Sequence, residues 1–463
     1  YKRQKVLHTI DEREQICDNC GSTMVKVGEE FVRTEVQFIP AKLKVIDHYR
    51  ETYECRSCRK NGTPYMEKAP VPYPPVLHSL ASASTITWLI HQKFELSIPL
   101  YRQEKEWEAL GLRLSRATMS NWLLVVYRDW LVHIVHRLKL ELLKQRYLHI
   151  DETHVQVLKE PGRKNTSDSY MWVYCSIRDA VNPIRYFEYQ PGRSGKYPEA
   201  FLREYEGYIH TDAYSGYNAV SGVKRCLCYT HLRRAFVDAL PKDIHNSEAS
   251  KPAEAILRLN QLFNIESELE ALPPDQKKKE RLIREKPLLE AFWSWAEKSA
   301  IGELPKSKLS KAFHYALNNR EGFWNYLEDG NCSISNSLAE NCIRPFVIGR
   351  KNWLFSGSPK GAEASAGIYT LVETAKANGL APMKYIKYIL SDMPGSAFLE
   401  HPEYLDDYLP SGTSCPASDL LTESSFRIIN ARFSDSANTE IFLLMIPVSY
   451  THLRAHETSA HLV

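Results

Sequence analysis

The sequence predicts a mixed α/β chain, with a block of short strands between two helical regions and a small cysteine-bearing module in front. Three observations carry this. The strand-like runs RYLHIDETHVQVL, SYMWVYCSIRD, IRYFEYQ and GYIHTDAY follow one another, separated by breaks that carry Gly, Pro, Asn or Asp. Apolar residues recur at spacings of three and four over residues 78–147 and again over about 230–326, the period of helices with one buried face. Two Cys-x-x-Cys pairs stand near the N-terminus.

Composition agrees with a globular chain: 43% of the 463 residues are hydrophobic and 25% charged. That excludes wholesale disorder, a collagen-like repeat and a simple coiled coil. No apolar run reaches the ~18 residues of a membrane-spanning helix. The first residues, YKRQKVLHTIDEREQ, lack the apolar core of a secretory signal. The net charge of +3 says little about partners, so the placement of charge has to say more.

The expected organisation follows the chain. Residues 1–63 form a zinc-binding ribbon. Residues 64–77 are a linker, because Pro64, Pro70, Pro72, Pro74 and Pro75 supply neither backbone donors nor helical freedom. Residues 78–147 form a helical domain. Residues 148–392 form a strand-containing domain with a helical insertion at about 235–330, and 393–463 are a tail. Within the last domain, 338–348 and 361–392 read as helices.

Cys17-Asp-Asn-Cys20 and Cys55-Arg-Ser-Cys58 supply four thiolates on two tight turns, the donor set of a tetrahedral Zn²⁺ site. Ten cysteines in 463 residues are too sparse for a disulfide scaffold, and four of them form these pairs, which points to a reducing compartment and a metal. Lys26, Lys42, Lys44, Arg50, Arg56, Arg59 and Lys60 surround the pairs and suit phosphate. A zinc site that only staples a small module is the plainer alternative.

The segment LYRQEKEWEALGLRLSRATMSNWLLVV at 100–126 reads as two helices with Gly111 between them. Arg113, Arg116, Thr118, Ser120 and Asn121 fall at the start of the second, the part of a helix-turn-helix that meets bases and phosphates. An ordinary helical hairpin would have the same pattern.

Three carboxylates stand out on separate elements. Asp151 lies in the first strand, opposite in alternation to Ile150. Asp212 ends a later strand, and Glu340 opens a helix. Such a set can hold two Mg²⁺ ions about 3.5–4 Å apart and activate a hydroxyl for attack at phosphorus. Strand alternation turns the neighbouring Glu152 to the other face. The stretch NCIRPFVIGRKNWLFSGSPK at 341–360 has no acid but carries Arg344, Arg350, Lys351 and Lys360, with Trp353 and Phe355 interleaved. That composition fits a phosphate-binding, base-stacking surface.

With these residues in view, the chain resembles transposases of the insertion-sequence-66 family over roughly residues 10–410. The matching stretches are CDNCG with YECRSC, LYRQEKEWEALG, HIDETHVQVL, YIHTDAYSGYN, CLCYTHLRRAF, LAENCIRPFVIGRKNWLFSGS and YTLVETAKANGLAPMKYIKYIL. The resemblance implies a ribonuclease-H-like fold, with a helical insertion between the second Asp and the Glu. It implies the acidic triad Asp151, Asp212 and Glu340, and a Cys-x-x-His-x-Arg-Arg stretch matched by Cys228, His231, Arg233 and Arg234. Two departures occur: Ser335-Asn336-Ser337 stands where the family usually has Asp-Asn-Asn, and Asn341 stands where an Arg usually follows the Glu.

The implied activity is Mg²⁺-dependent cleavage and strand transfer at the ends of an insertion sequence, with Zn²⁺ in the N-terminal module. The implied partners are terminal inverted repeats, target DNA, further copies of the chain and accessory proteins of the same element, in a bacterial cytoplasm at the nucleoid. The alternatives are a catalytically inactive, zinc-containing DNA-binding protein and a nuclease that cuts without joining. The end of the chain, VSYTHLRAHETSAHLV at 448–463, resembles a translated sequencing adapter, and no function is expected there.

Overall fold

A computed structural model describes residues 5–9, 11, 15–34, 42–241, 250–410 and 420–421. The adapter-like segment 448–463 lies outside the described residues. The chain divides into two compact units, Tyr1–His48 and Tyr49–Val463.

In the first unit the Cys17–Cys20 turn closes on itself. The Gly21 N–H donates to the Cys17 carbonyl at 2.8 Å and the Cys17 N–H to the Ser22 carbonyl at 2.9 Å. Gly21 sits at φ +72°, a conformation that costs any residue with a Cβ.

The second unit opens with β1 (Thr52–Glu54), the short helix α1 (Arg56–Lys60) and β2 (Met66–Lys68), the strands pairing antiparallel. The proline stretch then runs to Pro75, whose carbonyl accepts the Trp130 indole N–H at 2.8 Å. Helices α2 (Ala83–Ile90), α3 (Leu100–Ala109), α4 (Arg116–Val126) and α5 (Val132–Leu143) follow. The Ser115 hydroxyl caps α4 by accepting the Thr118 N–H at 3.1 Å. A π-type turn, Tyr127–Leu131, carries α4 into α5 without a break.

The sheet is built from β3 (Tyr147–Val157), β4 (Asp168–Ser176) and β5 (Arg185–Gln190), then, after α6 (Lys196–Phe201), β6 (Gly207–Thr211) and β7 (Val223–Leu227). Their spatial order is β5-β4-β3-β6-β7. Strand β4 runs antiparallel to both β3 and β5, whereas β6 lies parallel to β3 and β7 parallel to β6. The sequence pattern does not single out β7, since Lys224 and Arg225 interrupt its apolar run.

Beyond β7 come α7 (Tyr229–Val237), α8 (Lys251–Glu268), α9 (Pro274–Ala300), α10 (Lys308–Asn318) and α11 (Arg320–Trp324). They enclose their own core around Phe236, Phe292, Trp293, Phe313 and Phe323. The chain returns through α12 (Ser337–Trp353), β8 (Phe355–Ser356), α13 (Pro359–Ala377) and α14 (Pro382–Asp392). The helix expected at 338–348 runs from Ser337 to Trp353, so most of the basic stretch after Glu340 is helical. Strand β8 pairs with the far end of β3.

The larger core joins the sheet to α2, α4, α5, α12, α13 and α14 through residues such as Ile86, Trp122, Ile150, Phe346 and Tyr369. The helices expected as a separate DNA-binding domain therefore share one hydrophobic core with the sheet. Helix α13 also covers the edge strand β5. Its Thr370 and Thr374 hydroxyls accept the N–H groups of Phe187 and Arg185 at 2.8 and 3.1 Å, so this edge does not offer a ladder to another chain. Among the described residues, no helix is long and apolar enough to cross a membrane.

Candidate active site

The register of the parallel pair sets the site. His149 on β3 lies opposite His210 on β6. Asp151 and Asp212 each follow two residues later, on or just past the same two strands, so pleating carries both to the same end of the sheet. Helix α12 packs across β3, and Glu340 lies in its first turn. The Asp151 carboxyl is pushed up to about 7, by burial first and then by the charges of Glu152, Asp212 and Glu340. The structure thus brings the three sequence-predicted carboxylates together.

Asn336 ties these elements into one frame. It is buried, and its Nδ2 donates to the Ile150 carbonyl at 2.8 Å while its Oδ1 accepts from His149 Nδ1 at 3.0 Å. Its backbone N–H donates to Cys228 Sγ at 3.1 Å. One residue at the start of α12 therefore locks to β3 beside Asp151 through its side chain and to the residue at the N-cap of α7 through its backbone N–H. His149 stacks on His210 with ring centroids 4.2 Å apart. Burial, then the neighbouring His210, holds His149 well below the usual histidine range, so the ring is a neutral donor to Asn336. The departures at Ser335 and Ser337 leave this hub in place; their hydroxyls lie 3.0 Å from each other.

The loop carrying Asp212 is strapped by Arg225. Its guanidinium donates to the Asp212 carbonyl at 2.6 Å, the Tyr214 carbonyl at 2.8 Å and the Thr211 hydroxyl at 2.8 Å. The Tyr214 N–H donates to Asp212 Oδ1 at 2.9 Å. Arg193 is the residue the sequence reasoning missed. It donates to Glu152 Oε1 at 2.6 Å, lies 3.8 Å from Asp212 Oδ2 and stacks 3.9 Å above the Tyr214 ring. Its signal was weak: one Arg in a Gly-flanked loop, far in sequence from both acids. Glu152 also accepts from the Tyr217 hydroxyl at 2.5 Å. It is thus held by two donors on the opposite face from Asp151, as alternation requires.

The Cys-x-x-His-x-Arg-Arg stretch starts α7 beside Glu340. His231 Nε2 lies 3.6 Å and Arg234 Nη2 3.8 Å from the Glu340 carboxylate. Arg233 faces away and donates to Asn260 Oδ1 at 2.7 Å. A cleft of about 350 Å³ opens between these elements, lined by Arg193, Asp212, Tyr214, His231, Arg234 and Tyr315 among others.

The basic stretch divides. Arg344, Lys351 and Lys360 are exposed. Arg350 packs on β3, donating to the Thr153 hydroxyl at 3.0 Å and to the His154 carbonyl. Trp353 packs edge-on against Phe346, with centroids 5.9 Å apart, and leans on Tyr369, which makes it part of the core's rim. Ala339 is fully buried against the core and lines no DNA surface. On α4, Arg116 and Asn121 are both exposed, while Met119, Trp122 and Leu123 face inward.

The cysteine pairs are alike locally. Hydrogen bonds with Ser22 and then Cys17 hold the Cys20 thiol below its ordinary value, and hydrogen bonds with Cys58 do the same for Cys55. Cys20 and Cys55 are thereby shifted toward the thiolate, the form that binds Zn²⁺.

Fold and site together define a mixed α/β protein whose acidic centre is rimmed by arginines and preceded by paired thiols. The family model described as "Transposase IS66 family" matches residues 78–364, and that described as "zinc-finger binding domain of transposase IS66" matches residues 14–59, a span holding both cysteine pairs. The chain belongs to the IS66 family of transposases, and DNA is the substrate this membership implies. It is 26% identical over 408 residues to the uncharacterized protein y4hP of Sinorhizobium fredii, covering 82% of this chain and 72% of the relative. It is 27% identical over 409 residues to the uncharacterized protein y4qI of the same organism, covering 83% and 72%.

Proposed function

We propose that this protein is a ribonuclease-H-like DNA transposase that cleaves at the ends of an insertion sequence and joins the freed 3′ ends to target DNA. The observation that carries the reading is the convergence of Asp151, Asp212 and Glu340 from β3, the end of β6 and the first turn of α12, with the Asp151 carboxyl raised by burial first and then by the carboxylates around it. A sheet of three antiparallel strands continued by two parallel ones, with the first strand central, supports the fold assignment.

The donors fit a hard divalent cation: all three are carboxylates, and Glu340 Oε1 is buried without a hydrogen-bond partner. Asp151, Asp212 and Glu340 would hold two Mg²⁺ ions, whose chemistry is to polarise phosphoryl oxygens and activate water or a 3′-hydroxyl. The chain's own part is to position and neutralise. Arg193 holds the Asp212 side of the cleft. Arg234, more than half exposed beside Glu340, is available to a DNA phosphate. Exposed Arg344 and Lys351 extend the cationic rim, and Arg350 braces β3 from behind. The start of α4, with Arg116 and Asn121, is the surface for end recognition, and Arg233 supports α7. The protein works as at least a dimer on paired ends.

Glu340→Gln reduces strand transfer by about 10²–10³-fold, the scale of losing one group that stabilises transition-state charge, with the melting temperature nearly unchanged. Glu152→Gln retains transfer to within about tenfold but lowers the melting temperature, because it weakens the buried pair with Arg193. Both variants are assayed on labelled donor ends. A dead Glu152→Gln beside an active Glu340→Gln would overturn the triad.

Replacing Arg116 and Asn121 by Ala abolishes the preference for element ends over random DNA while leaving salt-dependent binding in place. Equal end preference in competition binding would make α4 structural only.

Zinc at Cys17, Cys20, Cys55 and Cys58 rests on the paired motifs and on the matched zinc-finger domain. Elemental analysis should give about one Zn²⁺ per chain held by these thiolates, and Cys55→Ser should lose it. Metal content unchanged by Cys55→Ser would exclude this ligand set.

A further inference from the structure

We propose that Cys228, His231 and Glu340 form a second metal site, for a thiophilic divalent cation of the Zn²⁺ class. One donor atom from each of the three lies within 4.8 Å of the others. Donors 2.0–2.3 Å from a tetrahedral centre stand about 3.3–3.8 Å apart, so the cluster needs to close by about an ångström. Cys228 caps α7, and His231 follows on its first turn, which sets thiol and imidazole on one side of the helix start. Glu340 comes from the first turn of α12, held against Cys228 by the Asn336 N–H to Cys228 Sγ bond.

Two polar atoms in this cluster are buried and have no hydrogen-bond partner: His231 Nδ1 and Glu340 Oε1. Unpaired buried polar atoms are costly, and a cation ligated by Glu340 Oε1 and by His231 through Nδ1 relieves that cost. A sulfur, a nitrogen and an oxygen together suit Zn²⁺ and not Mg²⁺. His231 and Glu340 are about a quarter and a third exposed, and His231 borders the cleft, so water can take the fourth position. The one adverse charge is Arg234, 3.8 Å from Glu340; more than half exposed, it has room to swing out.

The other His/Cys cluster, His210 with Cys226 and Cys332, is not equivalent. His210 Nδ1 donates to the Leu148 carbonyl at 3.2 Å and Nε2 accepts the Ser333 N–H at 2.9 Å. Both ring nitrogens are therefore committed, and the cluster is sealed from water.

A consequence rests on the reading of Glu340 as a magnesium ligand. A thiophilic ion at Cys228 and His231 draws Glu340 away from the acidic triad, so Zn²⁺ in excess of the cysteine module should arrest the reaction.

The test uses the full chain with its cysteine module loaded with Zn²⁺, titrated with Co²⁺ in the absence of Mg²⁺. Beyond any Co²⁺ taken up by the acidic triad, one equivalent is expected to show thiolate-to-cobalt charge-transfer absorption. Cys228→Ser removes that absorption. His231→Gln, at a part-exposed position that leaves the fold intact, weakens binding by about 10–100-fold, as loss of a ligand-sphere group does. No thiolate-to-cobalt absorption, or the same spectrum in both variants, overturns the site. In a parallel arm, added Zn²⁺ lowers Mg²⁺-supported strand transfer at least tenfold in the wild type, and Cys228→Ser relieves that block. Cobalt binding without any Mg²⁺-supported transfer would defeat the transposase reading and leave the metal site standing; transfer without cobalt binding would do the reverse.

Discussion

Asp151→Asn abolishes cleavage and joining, by about 10²–10³-fold or more, and at the same time makes the metal-free protein more stable above neutral pH. Both effects have one cause. The Asp151 carboxyl is raised from an ordinary 3.8 to about 7, by burial first and then by the carboxylates around it. Because the folded state holds the proton more tightly than the unfolded chain, this group favours folding most when protonated, below about pH 4. That contribution is lost as pH rises from about 4 to about 7. Asparagine has no charge to bury, so the melting temperatures of wild type and variant, measured in chelator, should diverge across that interval and stay apart above it. Mg²⁺ should stabilise the wild type at pH 8 and hardly affect the variant. An active Asp151→Asn protein, or two melting curves that run parallel in pH, would remove Asp151 from the centre.

Arg281→Met destabilises the helical insertion by about 3–5 kcal/mol, the usual cost of breaking a buried ion pair from one side. Arg281 is fully buried. It grips Glu266 with two nitrogens, at 2.5 and 2.9 Å. It also donates to the carbonyls of Tyr326 and Asp329 at 3.1 Å and of Cys332 at 2.8 Å. Methionine fills much of the volume but leaves a buried carboxylate, only partly answered by Lys277 at 3.2 Å, and takes the guanidinium donor from three carbonyls, of which that of Asp329 keeps the Cys332 N–H at 3.0 Å. The loop so released, 326–332, leads directly to Asn336 and Glu340. Strand transfer should therefore fall along with stability, although Arg281 is in a different core from Asp151. Arg281→Lys keeps the charge but not the fork, and should recover part of the loss. Denaturant unfolding checks the first effect and donor-end assays the second. An unchanged midpoint for Arg281→Met would show that the insertion is held by its aromatic core alone.

What the sequence determined by itself is what depends on local period and residue chemistry. The strand runs from 146 to 214, the helices, the placing of Arg116 and Asn121 at the start of α4, the paired thiols and the opposite facing of Asp151 and Glu152 all follow from spacings of two to four residues. The three acids stand out on separate elements, but it is the family resemblance that makes them a triad. Tertiary structure decided the rest. Trp353 looks like a stacking platform in a basic stretch, yet Phe346 and Tyr369 enclose it. Arg350 looks like a phosphate ligand, yet it braces the backbone of β3. Strand β7 and the role of Arg193 depend on pairing and on contacts between residues far apart in the chain, which no local period records. The helices at 83–143 read as a separate domain because a linker of prolines precedes them. Whether their apolar faces bury against one another or against a sheet is not encoded in the period of those faces. The hydrophobic effect is non-directional, and only the assembled fold fixes what each face meets.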